Sequence, residues 1–385
     1  MDVTDYNRKI KPLPFAVLCA SFVLFASYIG ASDSKLLSFA VLLSSLLVIF
    51  GFLRSTVCAL ILIIPSFIIG LYVGKLEIAL LLCSLQLAIG VGAFVIRMLG
   101  KKAYLFLLLL PLSCLIAFLI KGSLSAALLT VTVFPASYIC AHFTKSKKSR
   151  LASICAISVS LGICALGFLA AYVLTVYTGT SPFSDAAQDL FDFLLKYYTD
   201  EHLRLAEKYT QAGIDPSLLG LTASDARLYA ISVFGIVPAL ALILLNGISF
   251  VSHRVNITLL DNAELIDKSD LINLVFSMSP VSAILYIAAY LVMTFASYSG
   301  SASADITGLI AQNIYLILLP GLTLTGILFL TARIVRRRRN VLWAIAIGLV
   351  AFSSVNLALS VTAFLGSAFI LLVFFRRIAS SRNDG

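Results

Sequence analysis

Four amide side chains lie inside long apolar stretches, where their hydrogen-bonding groups could act on a ligand. Their donors and acceptors are uncharged, so they would suit a neutral solute. Amides inside membrane helices also bond neighbouring helices, so both roles stay open at this point. The candidate solute-binding residues are Gln86, Asn246, Gln312 and Asn313.

Two prolines accompany these amides and predict kinks in the helices that carry them. Proline removes a backbone donor and frees a carbonyl one turn earlier. Asn246 follows Pro238 by a little over two turns, and Asn313 precedes Pro320. We therefore take Pro238 and Pro320 as candidate helix kinks.

Catalytic and metal-binding patterns are missing from the sequence. There is no His-Glu-x-x-His, no Gly-x-Ser-x-Gly, no intramembrane aspartate pair and no Walker A loop. The seven cysteines fall in apolar runs, and none pairs with a histidine at metal spacing. The histidines are far apart and are interpreted as interfacial polar residues: His142, His202 and His253. We predict no enzyme activity, no cofactor and no metal.

The composition is that of an integral membrane protein. Hydrophobic residues make up 61% of the chain and charged residues 12%. The formal charge of +10 is divided among short clusters at the ends of apolar runs, which is a mark of membrane topology and argues against nucleic acid as a partner. The sequence predicts an all-α polytopic fold of about 10–12 transmembrane helices, each of about 20 residues.

The apolar runs give ten candidate spans and a final stretch long enough for two. That stretch, Val341–Phe375, is predicted to turn near Ser353–Ser360. The first run is interpreted as a retained span because it lacks a good cleavage pattern. The ten other spans are Leu13–Ala31, Leu36–Leu53, Thr56–Val73, Ile78–Ile96, Ala103–Ile120, Leu124–Phe143, Leu151–Val176, Tyr229–Ser252, Val281–Tyr298 and Leu309–Ala332.

Basic residues set the orientation. With both termini in the cytoplasm, inner loops hold 21 of the 28 Lys and Arg residues and outer segments hold 7. The positive-inside rule therefore predicts cytoplasmic N- and C-termini in a bacterial cytoplasmic membrane. The chain divides into an N-terminal membrane block (1–176), an extracytoplasmic segment (177–228) and a C-terminal membrane block (229–385).

The extracytoplasmic segment predicts two amphipathic helices, Asp185–Tyr198 and Asp200–Gln211. Gly213 supplies a stop, and Asp215-Pro216 resembles a new helix start. Such helices would form a cap that either rests on the bilayer surface or covers a mouth between the spans.

The span Tyr229–Ser252 has a predicted helix start before it and a predicted loop after it. Thr222-Ala-Ser-Asp225 reads as a capping box. The polar stretch His253–Asn273 shows no apolar stripe and is interpreted as an inner loop with a short helix begun by Asp261.

The layout resembles the YybS-like bacterial membrane proteins, a family of unknown function that supplies no catalytic residues. The segments that carry the resemblance are Phe134-Pro135 before the basic loop Lys145–Arg150, Leu221-Thr-Ala-Ser-Asp225 leading into the Pro238 span, Asn313 through Leu322-Thr-Leu-Thr-Gly326, and the terminal Arg376-Arg377. More distantly, the N-terminal block is similar to the substrate-binding subunits of energy-coupling-factor transporters.

Three functions are compatible with these features. The first is a non-catalytic solute-binding or transport-related component without its own energising site. The second is an envelope or assembly scaffold that docks partners through its cap and its basic inner loops. The third, an intramembrane enzyme, needs residues that the sequence does not provide. The expected partners are the lipid bilayer, a small neutral solute, and a protein partner or a second copy of the chain.

Overall fold

The computed structural model describes residues 56–73, 76–100, 124–146, 149–266, 278–299, 302–336 and 355–383. These residues form nine α-helices and one short 3-10 helix, Pro216–Leu219. The α-helices are α1 (Thr56–Val73), α2 (Leu76–Leu99), α3 (Leu124–Lys145), α4 (Arg150–Val176), α5 (Pro182–Gln211), α6 (Ala223–Asn262), α7 (Pro280–Ser299), α8 (Ala302–Arg336) and α9 (Val355–Asn383).

Five of the described helices are long and apolar enough to cross a membrane, which takes about 20 residues. The chain is therefore a polytopic all-α membrane protein, as its composition predicted. The five candidate spans are Leu81–Leu99, Arg150–Val176, Ser224–Asn262, Asp305–Leu330 and Leu357–Ser380.

Most predicted spans that fall on described residues match a helix closely. Helix α1 has the predicted bounds, α3 begins at the predicted Leu124, and α4 and α7 differ from their predicted spans by one residue at an end. Helices α2 and α8 are longer than predicted. The predicted spans Leu13–Ala31, Leu36–Leu53 and Ala103–Ile120 lie outside the described residues, so the total number of spans stays a prediction.

The segment 177–228, predicted to be extracytoplasmic, forms one long amphipathic helix where two were predicted, so the division into two is wrong. Helix α5 runs without interruption from Pro182 to Gln211. Its interior contains no glycine or proline, and the Thr199 hydroxyl donates to the carbonyl of Leu195 (2.7 Å), so it turns back onto its own helix. Nothing therefore interrupts the backbone hydrogen bonds of the helix between the two predicted segments.

The predicted end of this helix is confirmed. Gly213 adopts a left-handed conformation (φ +76°). The amide of Ile214 donates to the carbonyl of Tyr209 (2.9 Å), and that of Gly213 to Thr210 (3.0 Å), which is the Schellman arrangement. Asp215 then accepts the amide of Ser217 (3.0 Å), but the new start yields only the 3-10 turn.

Helix α6 begins as predicted and ends later than predicted. The Asp225 carboxylate accepts the amide of Thr222 (3.1 Å), and the Thr222 hydroxyl accepts the amide of Asp225 (3.2 Å), so the capping box is formed. The stretch from His253 to Asn262 is helical, and the prediction of a loop there is wrong. The predicted short helix at Asp261 is the last turn of α6, closed where Glu264 takes a positive φ of 53°.

The predicted turn over Ser353–Ser360 is also misplaced, because residues 355–360 form the first turns of α9. The Ser360 hydroxyl lies 2.7 Å from the hydroxyl of Tyr315 on α8. A serine with such a partner is compatible with a membrane helix. Residues 353–354 lie outside the described part.

The described chain packs as two compact units. Unit 1 contains the described residues up to 168 together with 244–266, and unit 2 contains 169–243 and the described residues from 278 onward. These units follow packing, whereas the three sequence blocks follow the side of the membrane. Helices α4 and α6 contribute residues to both units.

Unit 1 is built around α2, whose residues Leu87, Ile89, Val91 and Phe94 are buried. Gly90 lets α6 come close to it. A Cβ at Gly90 would lie 2.6 Å from a methyl carbon of Val255 and 2.8 Å from the carbonyl oxygen of Ser252. The two helices touch here with no room for a side chain.

In unit 2, α7, α8 and α9 pack around stacked aromatic rings. The centroids of Tyr286 and Tyr315 are 4.9 Å apart. A Cβ at Gly326 of α8 would overlap the carbonyl of Thr362 on α9, and one at Gly366 would overlap the carbonyl of Leu322. The absence of a side chain at Gly326 and Gly366 therefore allows α8 and α9 to pack closely.

Helix α5 packs in antiparallel fashion on the first turns of α6, also within unit 2. Phe191 contacts Phe234 (5.9 Å between centroids), and Tyr198 stacks on Tyr229 (6.2 Å). The buried His202 lies on the same side, with its ring 5.4 Å from that of Tyr229. Other large apolar side chains of α5 are exposed: Phe183, Leu190, Phe193 and Tyr197.

Candidate functional site: a buried polar stripe on helix α6

Two of the four candidate residues lie in unit 1, and each bonds a neighbouring helix. Gln86 is buried on α2, and its Oε1 accepts a long hydrogen bond (3.5 Å) from Ser66 on α1. Asn246 lies on α6, and its Oδ1 accepts from Ser158 of α4 at 2.7 Å. Both contacts are of the kind expected for helix association.

The other two candidates lie on α8 in unit 2. Gln312 is half-buried. Asn313 bonds the backbone of α6 next to Pro238: its Oδ1 accepts the amide of Ala239 (3.1 Å) and its Nδ2 donates to the carbonyl of Gly235 (3.0 Å). In a regular helix those two backbone groups would bond each other. The Asn313 side chain therefore stands between the two partners of one helical hydrogen bond.

The solute-binding role of these four residues stays a prediction. Three of them have partners that a helix-bonding role explains. The structure places Gln86 and Asn246 in unit 1 and Gln312 and Asn313 in unit 2.

A different set of polar residues stands out in unit 1. On α6, four polar residues at spacings of three or four share one face of the helix: Asn246, Ser249, His253 and Asn256. We call this set the polar stripe. Ser249, His253 and Asn256 have no exposed surface. A stripe of polar side chains facing the core is unusual, because buried polar groups need hydrogen-bond partners.

The two ends of the polar stripe are bonded to other helices. Ser158 of α4 lies 2.7 Å from Asn246 Oδ1 and 2.9 Å from Ser249 Oγ. The Nδ2 of Asn256 donates to the Thr144 hydroxyl of α3 (3.1 Å). These bonds attach α6 to both neighbours.

The middle of the stripe is left unsatisfied. Eight buried side-chain polar atoms among the described residues have no hydrogen-bond partner, and seven belong to unit 1. Six of those seven lie on two short segments, the first turn of α4 and residues 252–256 of α6. They are Arg150 Nε, Ser153 Oγ, Ser252 Oγ, both ring nitrogens of His253, and Asn256 Oδ1. Each unpartnered group costs about 1–3 kcal/mol, so this concentration is the least stable polar arrangement of the described part.

Arginine side chains border the unsatisfied groups. Arg150, the first residue of α4, places its guanidinium over the ring of Phe250 on α6, 4.7 Å from the centroid. Arg254 follows Phe250 by four residues and so lies on the same side of α6. Arg150 and Arg254 therefore both lie on the side of α6 that carries Phe250, and His253 is the residue next to Arg254.

The cationic cluster, by which we mean the guanidinium groups of Arg150 and Arg254 with the His253 ring beside them, has no acidic partner among the described side chains. The two described acidic side chains of unit 1, Asp261 and Glu264, are exposed. No described carboxylate forms an ion pair with Arg150 or Arg254. Partly buried cations without a counter-charge are energetically unfavourable.

The sequence contained a signal for this site that the search for apolar stripes does not detect. From Ile248 to Ser279 there is no glycine and no proline, so nothing ends the helix locally. Ser249, His253 and Asn256 recur in that stretch with helical spacing, which predicts that the helix continues past Ser252. Absence of an apolar stripe is therefore no indication of a loop in a membrane protein.

The arrangement can bind a polar ligand. It offers donors from Arg150, Ser153 and Arg254 and an acceptor from Asn256, with a histidine that can do either. No protein-family model, no curated protein and no solved structure matches this chain.

Proposed function

We propose that this chain is a non-catalytic, solute-binding or transport-related component of a bacterial cytoplasmic membrane, with its binding site at the polar stripe of unit 1. The observation that carries the proposal is the concentration of unpartnered buried polar atoms at the first turn of α4 and residues 252–256 of α6. A related proposal is that the chain is a member of the YybS-like proteins.

The reasoning rests on the cost of leaving polar groups unpaired. A helix interface built only for association pairs its polar groups, as Asn313 does in unit 2. Six unpaired atoms in one place together cost far more than one helix–helix hydrogen bond returns. A bound polar solute would supply the missing partners, so the stripe is better explained as a binding site than as a scaffold contact.

The same site bears on orientation. Arg150 begins α4 and Arg254 lies about two turns before the end of α6, and the positive-inside rule places basic residues near span ends in the cytoplasm. We propose that the site opens toward the cytoplasmic side, with both termini on that side.

A scaffold role is the second candidate, and one feature favours it. Phe183, Leu190, Phe193 and Tyr197 form an exposed apolar strip on α5, and Phe193 is 64% exposed. Exposed apolar patches on extramembrane helices often mark contacts with proteins or lipid. A partner protein or a second copy of the chain would be bound there.

The test is native mass spectrometry of the full chain released gently from its own membrane. We expect a reproducible small-molecule adduct that is lost in Ser153→Ala and Ser252→Ala. The matched control is Ser146→Ala, because Ser146 is exposed and its hydroxyl bonds only the helix end at His142 and Phe143.

The outcomes separate the two candidates. An adduct that persists in both site variants contradicts binding at the stripe. A stoichiometric protein partner without any adduct, lost when Phe193 is changed to Ser, supports the scaffold role instead.

A further inference from the structure

The cationic cluster indicates which class of solute the stripe accepts. Arg150 lies over the ring of Phe250, Arg254 follows Phe250 by one helical turn, and the neighbouring His253 is fully buried, so two permanent positive charges lie on this side of α6. We infer that the site binds an anion that presents phosphate-type oxygens, held by Arg150, Ser153, His253 and Arg254. This inference rests on the proposed function, and it revises the expectation of a neutral solute.

The start of α4 adds to the attraction for an anion. Helix α4 is 27 residues long and begins at Arg150, so its first turn carries the positive end of a long helix dipole. Ser149 caps the helix by accepting the amide of Ala152 (3.3 Å). Anions bind at helix N-termini because free amides and the dipole favour negative charge there. The unpartnered Ser153 hydroxyl, 1% exposed, lies one turn further on.

The number and directions of the donors favour phosphate over carboxylate. A carboxylate offers two oxygens in one plane, whereas a phosphate group offers at least three in different directions. The donors here come from two helices, Arg150 and Ser153 from α4 and His253 and Arg254 from α6. Guanidinium groups also match phosphate geometry well, because each can donate two parallel hydrogen bonds.

Binding of an anion would remove the unfavourable features of the site together. It would neutralise two arginines that lack a carboxylate partner among the described side chains. It would also give partners to Arg150 Nε, Ser153 Oγ and a ring nitrogen of His253. A neutral solute would satisfy hydrogen bonds but leave the two charges uncompensated.

Phosphate oxygens could reach this site from two sources. One is a soluble phosphate compound. The other is the headgroup of an anionic phospholipid, because basic pockets between membrane helices at the cytoplasmic side bind such headgroups. Both present the same chemistry to Arg150 and Arg254, so the experiment must distinguish them.

The experiment uses the purified full chain in nanodiscs of phosphatidylcholine, with two measurements. The first is equilibrium binding of radiolabelled inorganic phosphate. The second is native mass spectrometry after incubation with vesicles of phosphatidylcholine containing phosphatidylglycerol. The variants are Arg150→Gln and Arg254→Gln, and the control is Lys145→Gln, an exposed basic residue at the end of α3. Arg150→Lys keeps the charge and serves where Arg150→Gln does not fold.

We expect each glutamine variant to weaken binding about tenfold or more, since hydrogen bonds to charged groups are the strong ones. Lys145→Gln should leave binding within about twofold, as expected for an exposed charge. Phosphate binding lost in Arg150→Gln supports the inference with a soluble source. A phosphatidylglycerol adduct on the unmodified chain that phosphate does not displace, and that is lost in Arg150→Gln, supports the inference with a lipid source.

Two results overturn the inference. One is an adduct whose mass identifies an uncharged solute and that is lost in Ser153→Ala and Ser252→Ala. This result supports the proposed function but contradicts anion binding. The other is anion binding equally reduced in Lys145→Gln, which would show general surface attraction. Absence of any adduct in the native extraction removes the proposed function as well, so the two failures differ.

Discussion

Replacing Asn313 with alanine should destabilise unit 2, and the structure indicates by how much. The side chain forms two hydrogen bonds to α6, from the amide of Ala239 (3.1 Å) and to the carbonyl of Gly235 (3.0 Å). Hydrogen bonds between membrane helices contribute about 0.6 kcal/mol on average and up to about 1.7 kcal/mol each. We therefore expect a loss of about 1–3 kcal/mol for Asn313→Ala.

The reason for this cost lies in Pro238, which makes the Asn313 contact specific. The proline ring lacks an amide hydrogen and clashes with the carbonyl one turn earlier, that of Phe234, which weakens the helical hydrogen bonding around it. Asn313 supplies a partner to the Gly235 carbonyl and to the Ala239 amide, which lie beside this position. With Pro238→Ala, Gly235 and Ala239 can bond each other in the ordinary way, and Asn313 should become dispensable.

A double-mutant cycle measures this dependence. The free energy of unfolding would be followed by far-ultraviolet circular dichroism during denaturation in mixed micelles, for Asn313→Ala, Pro238→Ala and the double variant. Gln312→Ala is the matched control, since Gln312 is the neighbouring amide and is half-buried; it should change stability by less than about 0.5 kcal/mol. An Asn313→Ala cost that is the same with and without Pro238 would refute the reasoning.

Three further predictions concern side chains and glycines whose surroundings differ sharply. Ser153→Ala removes an unpartnered buried hydroxyl and should raise stability or leave it unchanged. Ser158→Ala removes a hydrogen-bonded hydroxyl and should lower stability by about 1–2 kcal/mol. Thermal unfolding in detergent compares the two variants. Gly366→Ala would push a methyl group into the backbone of α8 and should lower stability by about 1–3 kcal/mol. In the same assay, Gly247→Ala places its methyl group in open space and should raise stability by about 0.5–1 kcal/mol. Gly213→Ala forces alanine into a left-handed conformation (φ +76°) and should cost about 1 kcal/mol, detectable as faster proteolysis at the end of α5.

The features that were predictable from sequence are those that depend on short-range chemistry. The run Thr56–Val73 is apolar throughout and forms a helix with those bounds. The capping box at Thr222 and Asp225 and the stop at Gly213 are correct for the same reason. In each case the residues that decide the conformation lie within a turn of one another, so no tertiary information is required.

The errors fall where continuity or burial decides. The proposed break between Tyr198 and Asp200 fails because no residue there opposes a helix, and a change of side-chain pattern alone does not end one. The proposed loop at His253 fails for a different reason. A loop would expose the polar residues of this stretch, whereas packing against α2, α3 and α4 buries them. Burial is set by elements far apart in sequence, and local composition cannot report it.

The contrast between two asparagines explains why residue type alone did not identify the site. Asn313 uses both ends of its amide on other groups, since Nδ2 also donates to Leu309 (2.9 Å). Asn256 donates to Thr144 at 3.1 Å, but its Oδ1 is buried without a partner. A satisfied amide stabilises a helix pair and has little capacity left for a ligand, whereas an unsatisfied one adds affinity to any solute that completes it. Hydrogen-bond satisfaction, visible only in three dimensions, therefore separates the candidates, and it favours the stripe at Asn256 and His253 over the amides first selected.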